Sequence, residues 1–203
     1  MALARKPPPP TEVRTSANRL LGALERHGLL LRQDKALPSA VTLLAGEPHS
    51  GSWWSHPQAR LMFRVLSQFA DHPDVLVTKL LSGKDTFVHR TLWPALLAVS
   101  QADEPWQLQG LSAAARRLLS RVRRSRNPVR ASGVPARELL TRLLVHAQEL
   151  HTEGGRHEIA LCRWSSWAAQ AGVAPLRSAA AARATLEEAA ARIGAPHSAL
   201  PWG

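Results

Sequence analysis

The stretch from Val75 to His89 constrains the fold most. Val75 to Leu81 is apolar and rich in β-branched residues, Ser82-Gly83-Lys84-Asp85 supplies a turn, and Thr86 to His89 returns. That pattern predicts an antiparallel hairpin, which must bury at least one face against something else. A second hairpin is predicted where Leu150 to Glu153 and Arg156 to Trp164 flank Gly154-Gly155, because two adjacent glycines accept the positive φ angles of a tight turn. There His157, Ile159 and Leu161 alternate with Glu158, Ala160 and Cys162, as a half-buried strand would.

Helical periodicity covers most of the remainder. Thr15 to His27 carries Leu20, Leu21 and Leu24 on one face and stops at Gly28. Leu29 to Leu31 reads as a short strand, and Pro38 to Leu44 as a short helix ended by Gly46. A longer helix opens at His56-Pro57, buries Leu61, Met62, Val65, Leu66 and Phe69, and ends at His72-Pro73. Trp93-Pro94 begins an apolar helix to Val99, and the polar segment Gln101 to Pro105 marks a boundary. Leu111 to Arg124 is amphipathic, with Leu111, Ala115, Leu118, Leu119 and Val122 on one side. Asn127-Pro128 breaks it, Val129 to Ala131 is a candidate strand, and a helix is predicted from Pro135 through about Gln148. Leu176 to Ile193 is rich in Ala, the best helix former. No internal repeat is visible. The expected fold is α+β and mostly helical, with winged-helix-like units and two β-hairpins. Residues 1–14 form a disordered Pro-rich arm, 15–103 a helical unit with a hairpin, 105–170 a winged-helix-like unit, and 171–203 a C-terminal helix and tail.

Charge narrows the function. Of 203 residues, 26 are Lys or Arg and 15 are Asp or Glu, which gives a formal charge of +11. Nine arginines and a single acid, Glu138, lie between Leu111 and Arg142. Arginine binds phosphate through two parallel hydrogen bonds and stacks on bases, so such a cluster points to nucleic acid. The excess of Arg over Lys runs through the whole chain, so the local imbalance of charge carries more weight than the choice of residue. No apolar run approaches the ~18 residues of a membrane span. MALARKPPPP has no apolar core, so no secretory signal is expected. The lone Cys162 excludes an internal disulfide and suits a reducing cytoplasm. The expected location is cytoplasmic, at the nucleoid.

In a winged helix one helix enters the major groove while the hairpin touches the backbone. Arg116, Arg117, Arg121 and Arg124 fall on the polar face of the Leu111–Arg124 helix. Arg137 and Arg142, with Thr141 or Gln148, would face the duplex from the next helix, and Arg156 would sit at the wing tip. Trp53-Trp54, in a loop of Gly, Ser, His and Pro, is a candidate for stacking on an unpaired base. Trp93, Trp164 and Trp167 are expected in the core.

The run Val75 to His89, followed by Leu92-Trp93-Pro94-Ala95-Leu96, resembles bacterial proteins related to the AlkZ crosslink-repair DNA glycosylases. The pair Gly51-Ser52-Trp53-Trp54 and the stretch Leu111 to Arg116 extend the similarity over about residues 50–165. The resemblance implies tandem winged-helix-like modules and a link to DNA. It also implies a Gln-x-Gln or Gln-x-Asp catalytic pair near the N-terminus. Here Gln107-Leu108-Gln109 has that spacing but lies mid-chain, in a protein about half the expected length. The expected function is therefore non-catalytic DNA binding in repair or transcription. A glycosylase-like enzyme and an adaptor for an acidic protein are the rivals.

Other chemistry is weakly signalled. His146, His151, His157 and Cys162 are clustered, with Glu149, Glu153 and Glu158 among them, but the spacing matches no standard zinc finger. Hydrolase, phosphate-loop and metalloprotease motifs are missing, and no metal, cofactor or catalytic residue is expected. Winged helices often pair through an added helix such as Leu176–Ile193, which leaves a homodimer open.

Overall fold

The computed structural model describes residues 10–49, 51–151 and 157–203. The first elements are α1 (Pro10–His27), β1 (Leu29–Leu31), α2 (Ala40–Ala45) and α3 (Ala59–Ala70), then β2 (Val75–Leu81) and β3 (Lys84–His89). The strands form an antiparallel sheet in the order β1-β3-β2, with Leu30 opposite Phe87 and Val77 opposite the same residue. Leu20 and Leu24 of α1, Met62, Val65 and Phe69 of α3, and Leu30 and Phe87 of the sheet fill one core. Gly28 and Gly46 hold the positive φ angles that end α1 and α2, which is why these boundaries were readable. Two boundaries differ from expectation. Helix α1 starts at Pro10, so the predicted arm loses residues 10–14 to the fold, and Val13 is buried there. The β2–β3 turn is also tighter, with Leu81 opposite Lys84.

The chain continues through α4 (Trp93–Ser100), the one-turn helix α5 (Pro105–Leu108), α6 (Ala113–Arg124), β4 (Val129–Arg130) and α7 (Gly133–Thr141). Then follow β5 (His146–His151), β6 (His157–Cys162), α8 (Trp164–Ala171) and α9 (Ala179–Arg192). The second sheet has the order β4-β6-β5, the same as the first. Although no repeat is visible in the sequence, the topology of helix, strand, helix and hairpin occurs twice. The second copy lacks a counterpart of α2. Leu119, Val122, Leu139, Leu144, Val145 and Leu161 make its core.

Three expectations for this half need correction. Helix α7 ends at Thr141 instead of near Gln148, and β5 already begins at His146. Leu143 interrupts the helix in a left-handed conformation, φ 54°. Strand β6 does not alternate as predicted: Ile159 is 48% exposed, while Ala160 and Leu161 are both fully buried.

A third core joins the two halves. Leu76, Leu80 and Val88 of the first sheet meet Leu96 and Leu97 of α4, Leu186 and Ala189 of α9, and Leu143 and Trp164 from the second half. The small residues Ala182, Ala189 and Ala190 are buried where α9 packs closely on α4, so the Ala-rich face is used within the chain.

The hairpin tip of the first sheet is docked as well. Ser82 and Gly83 carry φ 50° and 64°, a two-residue turn suited to right-twisted strands. Ser82 N–H donates to the Ala199 carbonyl at 2.6 Å, and a Cβ at Gly83 would lie 3.2 Å from Thr141 Cγ2. Gly83→Ala should therefore cost about 1–2 kcal/mol, from the left-handed backbone and from crowding against α7. The expected result is a fall of a few degrees in the thermal unfolding midpoint, with an unchanged circular dichroism spectrum.

Candidate nucleic-acid interface

Helix α6 is capped by Ser112, whose Oγ accepts from Ala115 N–H at 3.1 Å. Its apolar side buries Ala115, Leu119 and Val122, which turns Arg116, Arg117, Arg121 and Arg124 outward. Arg117, Arg121 and Arg124 stand at i, i+4 and i+7, one stripe along the helix. The single acid of the segment does not neutralise this stripe. Glu138 turns to the start of α6, where Ser112 N–H and Ser112 Oγ–H both donate to its carboxylate at 2.8 Å. The backbone hydrogen bond from Ser112, then the hydroxyl, hold its pKa below the usual carboxylate value.

The other arginines divide by contact. Among the described residues Arg116, Arg117, Arg124 and Arg137 have no carboxylate within ion-pair distance, and all four are exposed. Arg121 reaches the Arg130 carbonyl at 3.3 Å from an exposed position, and Arg123 is held by Asp103. Arg142 was expected to face a duplex and is placed otherwise. Its Nη1 donates to the carbonyls of Trp106, Gln107 and Gln109 at 2.8, 3.3 and 2.6 Å. It thus satisfies the orphan carbonyls of α5. Thr141, its neighbour, donates its hydroxyl to the carbonyls of Arg137 and Glu138. Gln148 lies on β5. Arg156 falls outside the described residues.

Between α6 and α7 lies an open groove of about 440 Å³, lined by Arg117, Arg121, Leu118, Ala131, Ser132 and Pro135. Ser132, which precedes α7, and Pro135 in its first turn line the groove beside the two guanidinium groups. Val134 and Arg137 are exposed on the same helix.

The sequence reading named Trp53-Trp54 but missed the α3 residues that extend it into a second surface. Helix α3 precedes its hairpin as α7 precedes the other, and it exposes Arg60, Phe63, Arg64 and Gln68. Trp54 is 59% exposed, stacked on Trp53 at 4.1 Å and tilted against Phe63 at 5.5 Å. The signal was available: these positions lie opposite Met62, Val65, Leu66 and Phe69 on the helical wheel.

The Gln107-Leu108-Gln109 pair is not arranged to act together. Gln107 is fully buried; its Oε1 accepts from Glu104 N–H at 2.9 Å, and its Nε2 donates to the carbonyls of Arg142 and Ser100 at 3.3 and 3.5 Å. Gln109 is exposed just past α5, so the two amides do not converge. Among the described residues no group of three or more His, Cys, Asp or Glu could hold a metal. Strand register puts His146 opposite Cys162 and His151 opposite His157. Burial raises the Cys162 thiol pKa, which disfavours the thiolate. Among the described residues no helix is long and apolar enough to cross a membrane.

His146 is buried against Trp164 and Trp167, with ring centroids 5.1 and 5.6 Å away. Burial pushes its pKa from 6.5 down to about 4. The unfolded chain therefore binds a proton between these pH values that the native state refuses. Stability is full above pH 6.5 and falls as the pH drops toward 4, by about 3 kcal/mol in total. His146→Phe should remove that increment, measured as the difference in urea unfolding free energy between pH 7 and pH 4.5.

No family model, curated protein or solved structure matches the chain.

Proposed function

We propose that this protein binds DNA without catalysis, through two winged-helix-like units, in a setting of DNA repair or transcription. The observation that carries the reading is the exposed stripe Arg117–Arg121–Arg124 beside the first turn of α7, with Glu138 committed to Ser112 and Asp103 to Arg123. Guanidinium groups beside an open groove supply the paired donors that phosphate oxygens accept from. Phosphate contacts position a protein on DNA and supply most of its affinity, while base contacts would come from Arg137 and Val134 on α7.

The repeated topology supports the winged-helix reading, since both units run helix, strand, helix, hairpin with the last strand central. It fits the resemblance to proteins related to the AlkZ glycosylases. Base excision is not part of the proposal, because Gln107 has no amide group to spare. The first hairpin tip, docked on Thr141 and Ala199, is not a DNA-contacting wing.

Fluorescence anisotropy with labelled duplex and single-stranded DNA across a salt series tests this. Micromolar or tighter duplex binding is expected, with log K falling against log salt at a slope of about −3 to −6. Preference for single strands would shift the interface to Trp54 and Phe63. No binding at low salt would overturn the proposal and leave an acidic protein as the better partner.

A further inference from the structure

Helix α3 and the loop before it carry an aromatic surface that the core does not use. Trp53, Trp54 and Ser55 form a one-turn 3-10 helix capped by Ser52. Gln33 Nε2 donates to the Gly51 carbonyl at 2.7 Å, and Ser55 Oγ–H donates to the Ser52 carbonyl at 2.6 Å, so the turn is held in place. Trp53 is partly buried against the first core and stacks on Trp54 at 4.1 Å, with 26° between the ring planes. Trp54 stays 59% exposed, and Phe63, 5.5 Å from it, is 40% exposed. Large rings left side by side in water mark a contact surface.

The surroundings decide what meets it. Between Pro48 and Ala70 there is no Asp or Glu. Arg60 is exposed one turn before Phe63 and, among the described residues, has no carboxylate within ion-pair distance. Arg60, Arg64 and Gln68 follow one another at i, i+4 and i+8 on the exposed side of α3. Asp71 ends the helix, about 12 Å along its axis from Phe63, and Asp74 is paired with Arg90 at 2.9 Å. Helix α1, packed on α3, sets Glu12 and Glu25 against Arg14, Arg19 and Arg26. The rings therefore have a cationic border. An apolar peptide would cover the rings and leave Arg60 unmatched, and a paired base shows only its edge. An unpaired nucleotide uses both features: its base offers a flat face to the rings, and its phosphate accepts from Arg60. In the winged-helix reading α3 also takes the place of the helix that meets DNA.

We propose that Trp54 and Phe63 stack an unpaired base of single-stranded DNA while Arg60 holds a neighbouring phosphate. The inference rests on the DNA-binding reading for its class of partner, but it shares no residue with the α6 stripe. Every base has a π-face, so little preference for base sequence is expected.

The test is anisotropy of the full chain with three labelled probes: oligothymidine, an abasic oligomer of equal length, and a duplex. The first two carry the same phosphates, so their difference reads base stacking. Oligothymidine should bind about tenfold more tightly than the abasic oligomer. Trp54→Ala and Phe63→Ala, both at exposed positions, should each erase most of that difference and leave duplex affinity unchanged, while Trp54→Phe keeps most of it. Arg60→Gln should lower the salt slope for oligothymidine by about 0.7. Equal binding of oligothymidine and the abasic oligomer, or a preference that survives both alanine variants, would overturn the proposal; duplex binding would then leave the α6 reading standing. Loss of duplex binding with the thymidine preference intact would remove the α6 reading alone. If no probe binds, both readings fall and the rings belong to a protein partner.

Discussion

Trp164→Ala should lower the stability of the folded chain by about 4 kcal/mol and its unfolding midpoint by roughly 8–16 °C. Trp164 opens α8 and is 2% exposed. Its ring lies beside His146 and Trp167, and its Nε1 donates to the Leu143 carbonyl at 2.8 Å. Leu143 is the left-handed residue that ends α7, and its own side chain is fully buried in the core shared by both halves. Truncation thus opens a cavity and orphans a buried carbonyl at one joint. Trp164→Phe separates the two effects, because it keeps most of the ring and loses the N–H; about 1–2 kcal/mol is expected for it. Urea unfolding of both variants, with the slope compared to the parent, measures the effect. A cost below about 1 kcal/mol for the alanine variant would show that the joint does not depend on this indole.

The same joint shows why part of the fold was legible in sequence and part was not. Local chemistry announces Leu29–Leu31, α2, α3 and the Val75–His89 hairpin: apolar runs bounded by Gly28, Gly46, Pro57 and Ser82-Gly83. The end of α7 has no such mark. Leu139-Leu140-Thr141-Arg142-Leu143-Leu144-Val145 continues a helical pattern, and the break is held by Trp164, 21 residues later. The repeat was hidden for a related reason. The two units share an order of elements, but their cores are filled by different residues and α2 has no second copy.

Charge was readable as a quantity and only partly as a surface. The stripe on α6 follows from helical spacing. Arg142 has the same charge and an adjacent place in sequence, yet its guanidinium closes α5, more than 30 residues away. Gln107 looked like half of a catalytic pair by spacing alone, whereas its contacts bind Ser100 and Arg142 into one connection. Spacing reports which face a side chain is on. It cannot report which orphan carbonyl that side chain will find.

That difference between arginines gives the second large effect. Arg117→Gln with Arg124→Gln should weaken duplex binding by about 10- to 100-fold and reduce the salt slope by about 2, one phosphate contact for each residue. Both side chains are exposed, so the unfolding free energy should stay within about 0.5 kcal/mol of the parent. Arg123→Gln is the matched control. It removes the same charge from the same helix, but Arg123 is held by Asp103, so the slope should change less. Arg142→Gln should do the reverse of the double variant: it strips three carbonyls of their donor and lowers stability, while any loss of binding follows the unfolded fraction. Anisotropy across the salt series, paired with urea unfolding of each variant, reads both axes at once. A double variant that binds with the parent's slope would remove the α6 stripe from the interface. It would move the search to α3, where Arg60, Phe63 and Trp54 lie exposed beside the other hairpin.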